Sequence, residues 1–321
     1  MRLLLSITVL AGALAAAPVH AQQYPARPIR VFIPFPAGSA ADIIARAMEP
    51  QLREKLGQSL VIDNRGGAGG NIAAELTAKS APDGYTVMMG TVGTHAINYS
   101  LYSKLAFHPQ RDFTPVALVG ESPNILVINP YVPAKSIKEL IALCKARPGQ
   151  LNFGSSSSGT TVHLSGELFA TMAGVKIVHV PYKGATEVLT ALLGGQIDFL
   201  FASLSSAIPL VKSGRLRAFA VTGERRSPSI PELPTMSEAA LPGFAATAWY
   251  GLLGPAGMPP AVVDALSNAA LASLQTQEVK DRLFASGVEV RPMPPAEFAQ
   301  LIDSEIRKWA QVVKASGAKV D

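Results

Sequence analysis

The sequence predicts an α/β fold of two lobes, each a mostly parallel sheet flanked by helices, joined by a hinge of two chain crossings. Three observations carry this. Short β-rich runs alternate with helical stretches from residue 29 onward, and two long extended runs lie where a chain passing between lobes would need them. About 300 residues remain beyond an N-terminal leader, enough for two domains of ordinary size.

The leader is set aside first. Arg2 supplies a positive start, Leu3 to Ala17 is an apolar run of about 15 residues, and Pro18-Val19-His20-Ala21 ends in a small residue suited to cleavage. Residues 1–21 therefore read as a removable signal peptide. The run is shorter than the roughly 18 to 20 apolar residues that span a bilayer, and no cysteine follows it to carry a lipid.

Ile29 to Pro34 reads as the first strand. Ala40 to Leu56 has helical spacing through Ile43, Ile44, Ala47, Leu52 and Leu56, with Gly57 placed to end it. Leu60 to Asp63, a helix from Ile72 to Lys79 and a strand from Tyr85 to Met89 complete one unit. Thr114 to Asn129 is the first extended crossing. A second series follows, with helices over 137–146, 161–173, 186–193 and 205–212, and strands over 151–154, 177–180, 197–201 and 216–221. Pro228 to Pro242 reads as loop. Ala248 to Leu253 is the return crossing, and helices follow over 260–274 and 295–315. The expected lobes are 22–120 with 250–321, and 121–249.

Two turns between strand and helix stand out. In Phe35 to Asp42, a helix N-terminus offers unpaired N–H groups and about half a positive charge, and Ala37, Gly38, Ser39 and Ala40 let an anion approach the backbone. Asp42 has two readings, a capping-box partner of Ser39 or a contact to a ligand amino or hydroxyl group. The second turn, Gly154 to Thr161, with Ser155, Ser156, Ser157, Ser158, Gly159 and Thr160 inside it, reads as an anion nest or a polar linker, with hydroxyls on the serines and positive φ open to Gly159. With the lobes paired as expected, the turns face each other and pinch a carboxylate. Thr91 and Thr94, after the third strand, either reach the cleft or close a turn. Tyr182 either lies on a ligand or ends a strand.

Other chemistries are opposed by the residues. The serine turn lacks the Gly-x-Ser-x-Gly spacing of a nucleophile elbow, and Ile72 stands where a dinucleotide fingerprint from Gly67 needs glycine or alanine. His95, His108, His163 and His179 lie far apart in sequence and read as capping or packing residues, so no metal and no cofactor is expected. Cys144 is the only cysteine, which excludes an internal disulfide. The formal charge of +5, one less without Arg2, is a mild bias toward anions, and its basic residues are too dispersed for nucleic acid.

In their order along the chain, several segments resemble the tripartite tricarboxylate transporter substrate-receptor family, the Bug proteins. They include Tyr24-Pro25-Ala26-Arg27-Pro28-Ile29, Pro34-Phe35-Pro36-Ala37-Gly38 with Asp42 and Ala45-Arg46, and Asn64 through Ile72. Pro82-Asp83-Gly84-Tyr85-Thr86, Gly159-Thr160 with His163-Leu164, His179 to Gly184, Leu193-Gly194-Gly195, Gly214 to Ala218, Pro242-Gly243-Phe244 and Lys308-Trp309 continue the match. The resemblance implies a type II periplasmic-binding-protein fold and a periplasmic monomer that delivers an organic carboxylate to membrane permease subunits. It also implies that amides and hydroxyls of the two turns hold the carboxylate, partly through water. The chain departs from the pattern at Ser39, where a second glycine is usual, and at Tyr99, where proline is. Ala202-Ser203 stands where many members carry Asp-Asn, and Ser203 removes a charge that would bind a ligand amine, so a plain carboxylate, aromatic or dicarboxylic, is expected. A ligand-dependent sensor partner of a membrane kinase and an exported enzyme are the competing classes.

Overall fold

The computed structural model describes residues 24–156 and 158–320, so the leader expected over residues 1–21 lies outside the described residues. The chain starts with β1 (Ile29–Ile33) and α1 (Ala40–Leu56). Along α1, Ala41, Ile44, Ala45, Met48 and Leu52 are buried at spacings of three and four, and Gly57 at φ +67 ends the helix by donating its N–H to the Arg53 carbonyl. β2 (Leu60–Asn64), a 3-10 turn over Ala68–Gly70, α2 (Asn71–Ala78) and β3 (Thr86–Thr91) follow. Next come a π-helical turn over Gly93–Ile97, α3 (Asn98–Leu101) and the long β4 (Phe113–Ile128).

The second series is α4 (Ile137–Ala146), β5 (Asn152–Ser155), α5 (Thr161–Ala173), β6 (Val178–Pro181), α6 (Ala185–Leu193), β7 (Phe199–Ser203), α7 (Leu204–Lys212) and β8 (Arg217–Val221). The chain then adds α8 (Met236–Ala239), β9 (Thr247–Pro255), α9 (Pro260–Ser273), α10 (Gln277–Ala285), β10 (Glu289–Met293) and α11 (Pro295–Ser316).

Three elements correct the sequence reading. The predicted loop 228–242 contains α8, one turn of helix held by a capping box between Thr235 and Glu238. α10 buries only Val279 and Leu283, too few apolar positions for a periodic signal. β10 contains Pro292, which argues against a strand, yet β10 pairs with β4 alone and carries a register shift between Val290 and Met293.

The strands join in the order β2-β1-β3-β9-β4-β7-β5-β6, with β8 and β10 also paired to β4. β1 lies parallel to both β2 and β3, and β5 lies parallel to both β6 and β7. β4 belongs to both halves: residues 113–123 pair with β9 and residues 124–128 with β7, both antiparallel. The result is a two-lobed binding-protein architecture of mixed α/β type.

Packing follows the same division on one side only. One core of Ile33, Ile44, Met48 and Leu252 serves the first half, and another of Ile125, Leu192, Leu200 and Val221 serves the second. A third core runs through both, from Phe32, Met88 and Phe113 to Phe153, Phe199 and Phe201, and includes Phe298, Ile302, Trp309 and Val313 of α11. α11 packs against α3 and the π-helical turn of the first half and against α5 of the second. Trp309 is fully buried, and its Nε1 donates to Glu305 Oε2 at 2.8 Å.

His95, in the π-helical turn, is enclosed in this shared core, its ring edge-on to Phe113 at 4.5 Å. Its Nδ1 lies 2.8 Å from Thr94 Oγ1 and its Nε2 has no partner. Burial pushes the imidazole down to about 3 from 6.5. Between those values the unfolded chain holds a proton that the folded chain does not, so stability falls as pH drops below 6.5, by about 1.4 kcal/mol per pH unit. In chemical denaturation at pH 7.5 and pH 5, His95→Asn is expected to lose about 2 kcal/mol less than the unsubstituted protein. Equal acid losses in the two proteins would show that His95 takes up no proton on unfolding.

Candidate functional site

The strand directions locate the site. β3 and β4 both run antiparallel to β9, so the carboxyl ends of β1, β2 and β3 point the way β4 travels, toward the second half. β5, β6 and β7 run against β4, so their carboxyl ends point back. Ligands in open α/β sheets bind beyond the carboxyl ends of strands, and here two such rows confront each other. Thr91, the last residue of β3, is level with Tyr250 and hence with Gly120, while Ser203, the last of β7, is level with Asn124. The two rows are thus separated by four residues of β4, about 13 Å at the rise of a strand.

On the first side, the turn Phe35–Ala40 leaves β1 half-exposed at Phe35 and exposed at Ala37 and Gly38. Ser39 caps α1, its Oγ accepting from the Asp42 N–H at 3.4 Å. Asp42 is buried and both its oxygens are engaged: by the Gly38 N–H at 2.9 Å, Arg46 Nε at 3.0 Å and Asn64 Nδ2 at 3.1 Å. Burial pushes its carboxyl up, but the Arg46 bond, the Gly38 amide, Asn64 and the Arg46 charge together hold it below the ordinary carboxylate range. Of its two readings this geometry supports the structural one. It is not a capping box, because the carboxylate takes the N–H of Gly38 and the Ser39 N–H goes to the Pro36 carbonyl.

Asn64, unrecognised in the sequence, ends β2 and donates to the Phe35 carbonyl at 3.0 Å as well as to Asp42, locking the turn to the sheet. Thr91 and Thr94 are buried and satisfy each other: Thr94 Oγ1 accepts the Thr91 N–H at 3.0 Å and donates to the Thr91 carbonyl at 3.1 Å. They close a turn. Asn98, next to them, is buried and donates to the Gly69 carbonyl at 3.0 Å and to Asn71 Oδ1 at 2.6 Å, which ties the glycine run to α3.

On the second side, Ser155 ends β5 fully buried, its Oγ 2.7 Å from His179 Nε2. Ser156, Ser158, Gly159 and Thr160 follow, part-exposed, while Ser157 lies outside the described residues. Thr160 caps α5 by accepting the His163 N–H at 3.3 Å, and the Gly159 N–H donates to His163 Nδ1 at 3.2 Å. The two turns are therefore built alike. Each has a glycine of positive φ, Gly38 at +83 and Gly159 at +78, then a hydroxyl cap, and three residues after the cap a side chain that takes the glycine's N–H. That side chain is a carboxylate in α1 and an imidazole in α5. The first turn of α5 carries no acidic residue, so its N-terminal charge is unopposed, whereas at α1 Asp42 needs Arg46 to neutralise it.

The two sides meet. A Cβ on Gly159 would lie 2.7 Å from Leu101 Cδ2 and 3.8 Å from Asn98 Oδ1, so the serine turn touches α3. Tyr182, just beyond β6, is half-buried, its N–H donating to the Ser155 carbonyl at 2.9 Å and its ring packed on the second-half core. Ser203 stands at the start of α7, where its hydroxyl lies 2.7 Å from that of Ser206 and caps no backbone N–H.

Ser155 and His179, far apart in sequence, are brought side by side by the pairing of β5 with β6. The geometry does not make them a catalytic pair: Ser155 is buried, and burial together with the neighbouring His163 pushes His179 down to about 3, too weak to take a serine proton at neutral pH. No group of three or more metal-ligating side chains occurs among the described residues. A depression of about 710 Å³ lies elsewhere, lined by Tyr24, Glu54, Lys55 and Asn268, away from every strand end that faces the other half.

A sequence profile described as "Tripartite tricarboxylate transporter family receptor" matches residues 44–318. The chain is 38% identical to the protein BugT of Bordetella pertussis over 95% of its own length and 94% of that relative. Among solved structures it is similar to Rpa4515 of R. palustris with adipate, at a TM-score of 0.82 and 38% identity, covering 92% of this chain and all of that one. It is similar also to MatC (Rpa3494) of Rhodopseudomonas palustris with bound malate, at 0.78 and 36%, covering 90% of this chain and all of that one.

The contact between the serine turn and α3 is open to test. Gly159→Ala forces a side chain into the left-handed region and against Leu101, and is expected to destabilise by about 1 to 3 kcal/mol. In a double-mutant cycle with Leu101→Ala, part of that loss should be recovered. A coupling energy of zero would separate the turn from α3.

Proposed function

The chain belongs to the tripartite tricarboxylate transporter receptor family of solute-binding receptors, and from that membership we propose that it captures a small organic carboxylate between its two lobes and delivers it to membrane permease subunits. The observation that carries this reading is the pair of like-built helix N-terminal turns, Phe35–Asp42 and Ser155–Thr161, set at two confronting rows of strand ends. Amides in the first turn of a helix have no partner within it, so the starts of α1 and α5 offer donors and positive potential to an anion. Adipate in one similar protein and malate in another support a carboxylate as the ligand class.

In this reading the lobes are 22–120 with 250–321, and 121–249, supported by the exchange of β4 partners between Pro123 and Asn124 and by the start of β9 at Thr247. Phe35, Ala37, Gly38, Ser39 and Ala40 form one wall, and Ser155, Ser156, Ser158, Gly159 and Thr160 the other. Tyr182 and Ser203 edge the site from β6 and β7. Asp42, Thr91 and Thr94 shape the walls from behind. Residues 1–21 direct export to the periplasm and are cleaved, and the receptor works there without turning over what it binds, consistent with a histidine too weakly basic to activate Ser155.

A thermal-shift screen of mono- and dicarboxylates, with adipate and malate included, tests the reading. An acid at 100 times its dissociation constant adds about 2.7 kcal/mol to stability, a rise of several degrees in Tm. Gly159→Asp should abolish that rise by placing like charge at the nest. Absence of any shift with every acid, or chemical conversion of the acid that does bind, would overturn it.

A further inference from the structure

We propose that His163 is a positioning residue that holds the serine turn with an uncharged acceptor, so that the start of α5 can take a ligand carboxylate; this rests on the reading of that turn as a carboxylate seat. The argument begins with the likeness of the two turns. At α1 the N–H of Gly38 is taken by Asp42, and at the matching position of α5 the N–H of Gly159 is taken by His163. A carboxylate in that place puts a negative charge within the first turn, where it competes with an incoming anion for the same dipole. At α1 the charge is cancelled by Arg46. The α5 turn needs no such partner while the acceptor is a neutral imidazole.

The bond fixes the tautomer. Nδ1 accepts from Gly159, so it carries no proton, and the ring's N–H sits on Nε2, which faces Glu167 Oε1 at 3.5 Å. The ring is stacked on His179 at 3.9 Å, and His179 in turn meets Ser155 Oγ at 2.7 Å. Phe153 of β5 lies parallel to it at 6.4 Å. Two stacked imidazoles thus brace both ends of the turn, Ser155 through His179 and Gly159 through His163. The ionisable groups His163 faces are Glu167 on its own helix and His179 on β6.

The same bond fixes Gly159, the residue that touches Leu101 across the lobes.

The test compares three variants by calorimetric titration with adipate and with malate at pH 7.5. His163→Asn retains a neutral acceptor and should bind within about three-fold of the unsubstituted protein. His163→Asp retains the acceptor but adds a buried charge that faces Glu167 with no cation to cancel it, and should lose some thermal stability together with about ten-fold or more in affinity. His163→Leu removes the acceptor and should lose both. Imidazole nitrogen shifts in the ligand-free protein should show the proton of His163 on Nε2. Full affinity in His163→Asp, or a proton on Nδ1 at neutral pH, would overturn the proposal. Should neither acid bind even the unsubstituted protein, it is the choice of ligand that fails, and the tautomer alone then decides the role of His163.

Discussion

Strand β4 is antiparallel to its neighbours in both halves of the molecule, and the placement of everything else follows from this. A strand that runs through two sheets can meet the second in either direction. Because β5, β6 and β7 oppose β4 while β1, β2 and β3 accompany it, the two rows of strand ends confront each other. Each row ends in loops that begin helices, so α1 and α5 start at the gap. Reversal of either row would send one helix start to the far end of its lobe, and no local adjustment of residues 35–42 or 155–161 could restore a shared site.

The turns at those helix starts solve one problem with different chemistry. Each must hold a glycine in the left-handed region and give its N–H a partner without consuming the amides that follow. Asp42 does this with a strong acceptor whose burial and charge then require Arg46 and Asn64. His163 does it with a weaker acceptor and no charge. The buried His95 and the half-buried His179 are both pushed down to about 3 by their surroundings and so remain neutral across the physiological range. Neutrality is what lets a polar, hydrogen-bonded wall stand in an apolar core without repelling or trapping an ion.

How much of this was legible in the sequence varied with the range of the signal. Helix α5 has the predicted ends, Thr161 and Ala173, because its cap, apolar face and closing Gly174 are all local. β4 was visible as an extended run, but its change of partners at Asn124 was not, since pairing is decided by residues a hundred positions away. α10 and β10 escaped because their stability comes from neighbours: two buried side chains in one, and pairing to β4 despite Pro292 in the other. At the site, Gly38, Ser39 and Gly159 announce themselves by type and place. Asn64, Asn98 and His163 do not, because an asparagine at a strand end or a histidine in a helix is ordinary until its partner is known. Thr91 and Thr94, singled out for their hydroxyls, spend them on each other.

Helix α11 fills the core that both lobes share, and it comes from the far end of the described chain. Phe32, Phe113, Phe153 and Phe199 are all synthesised long before Trp309, which packs with them only once residues 295–316 are available. A growing chain can form local strands and helices, but its largest apolar surface stays open through most of its synthesis. Such a chain is slow to commit to a compact state because its closing contacts are remote in sequence. A core that cannot be completed early leaves the chain open to its surroundings until its last helix arrives.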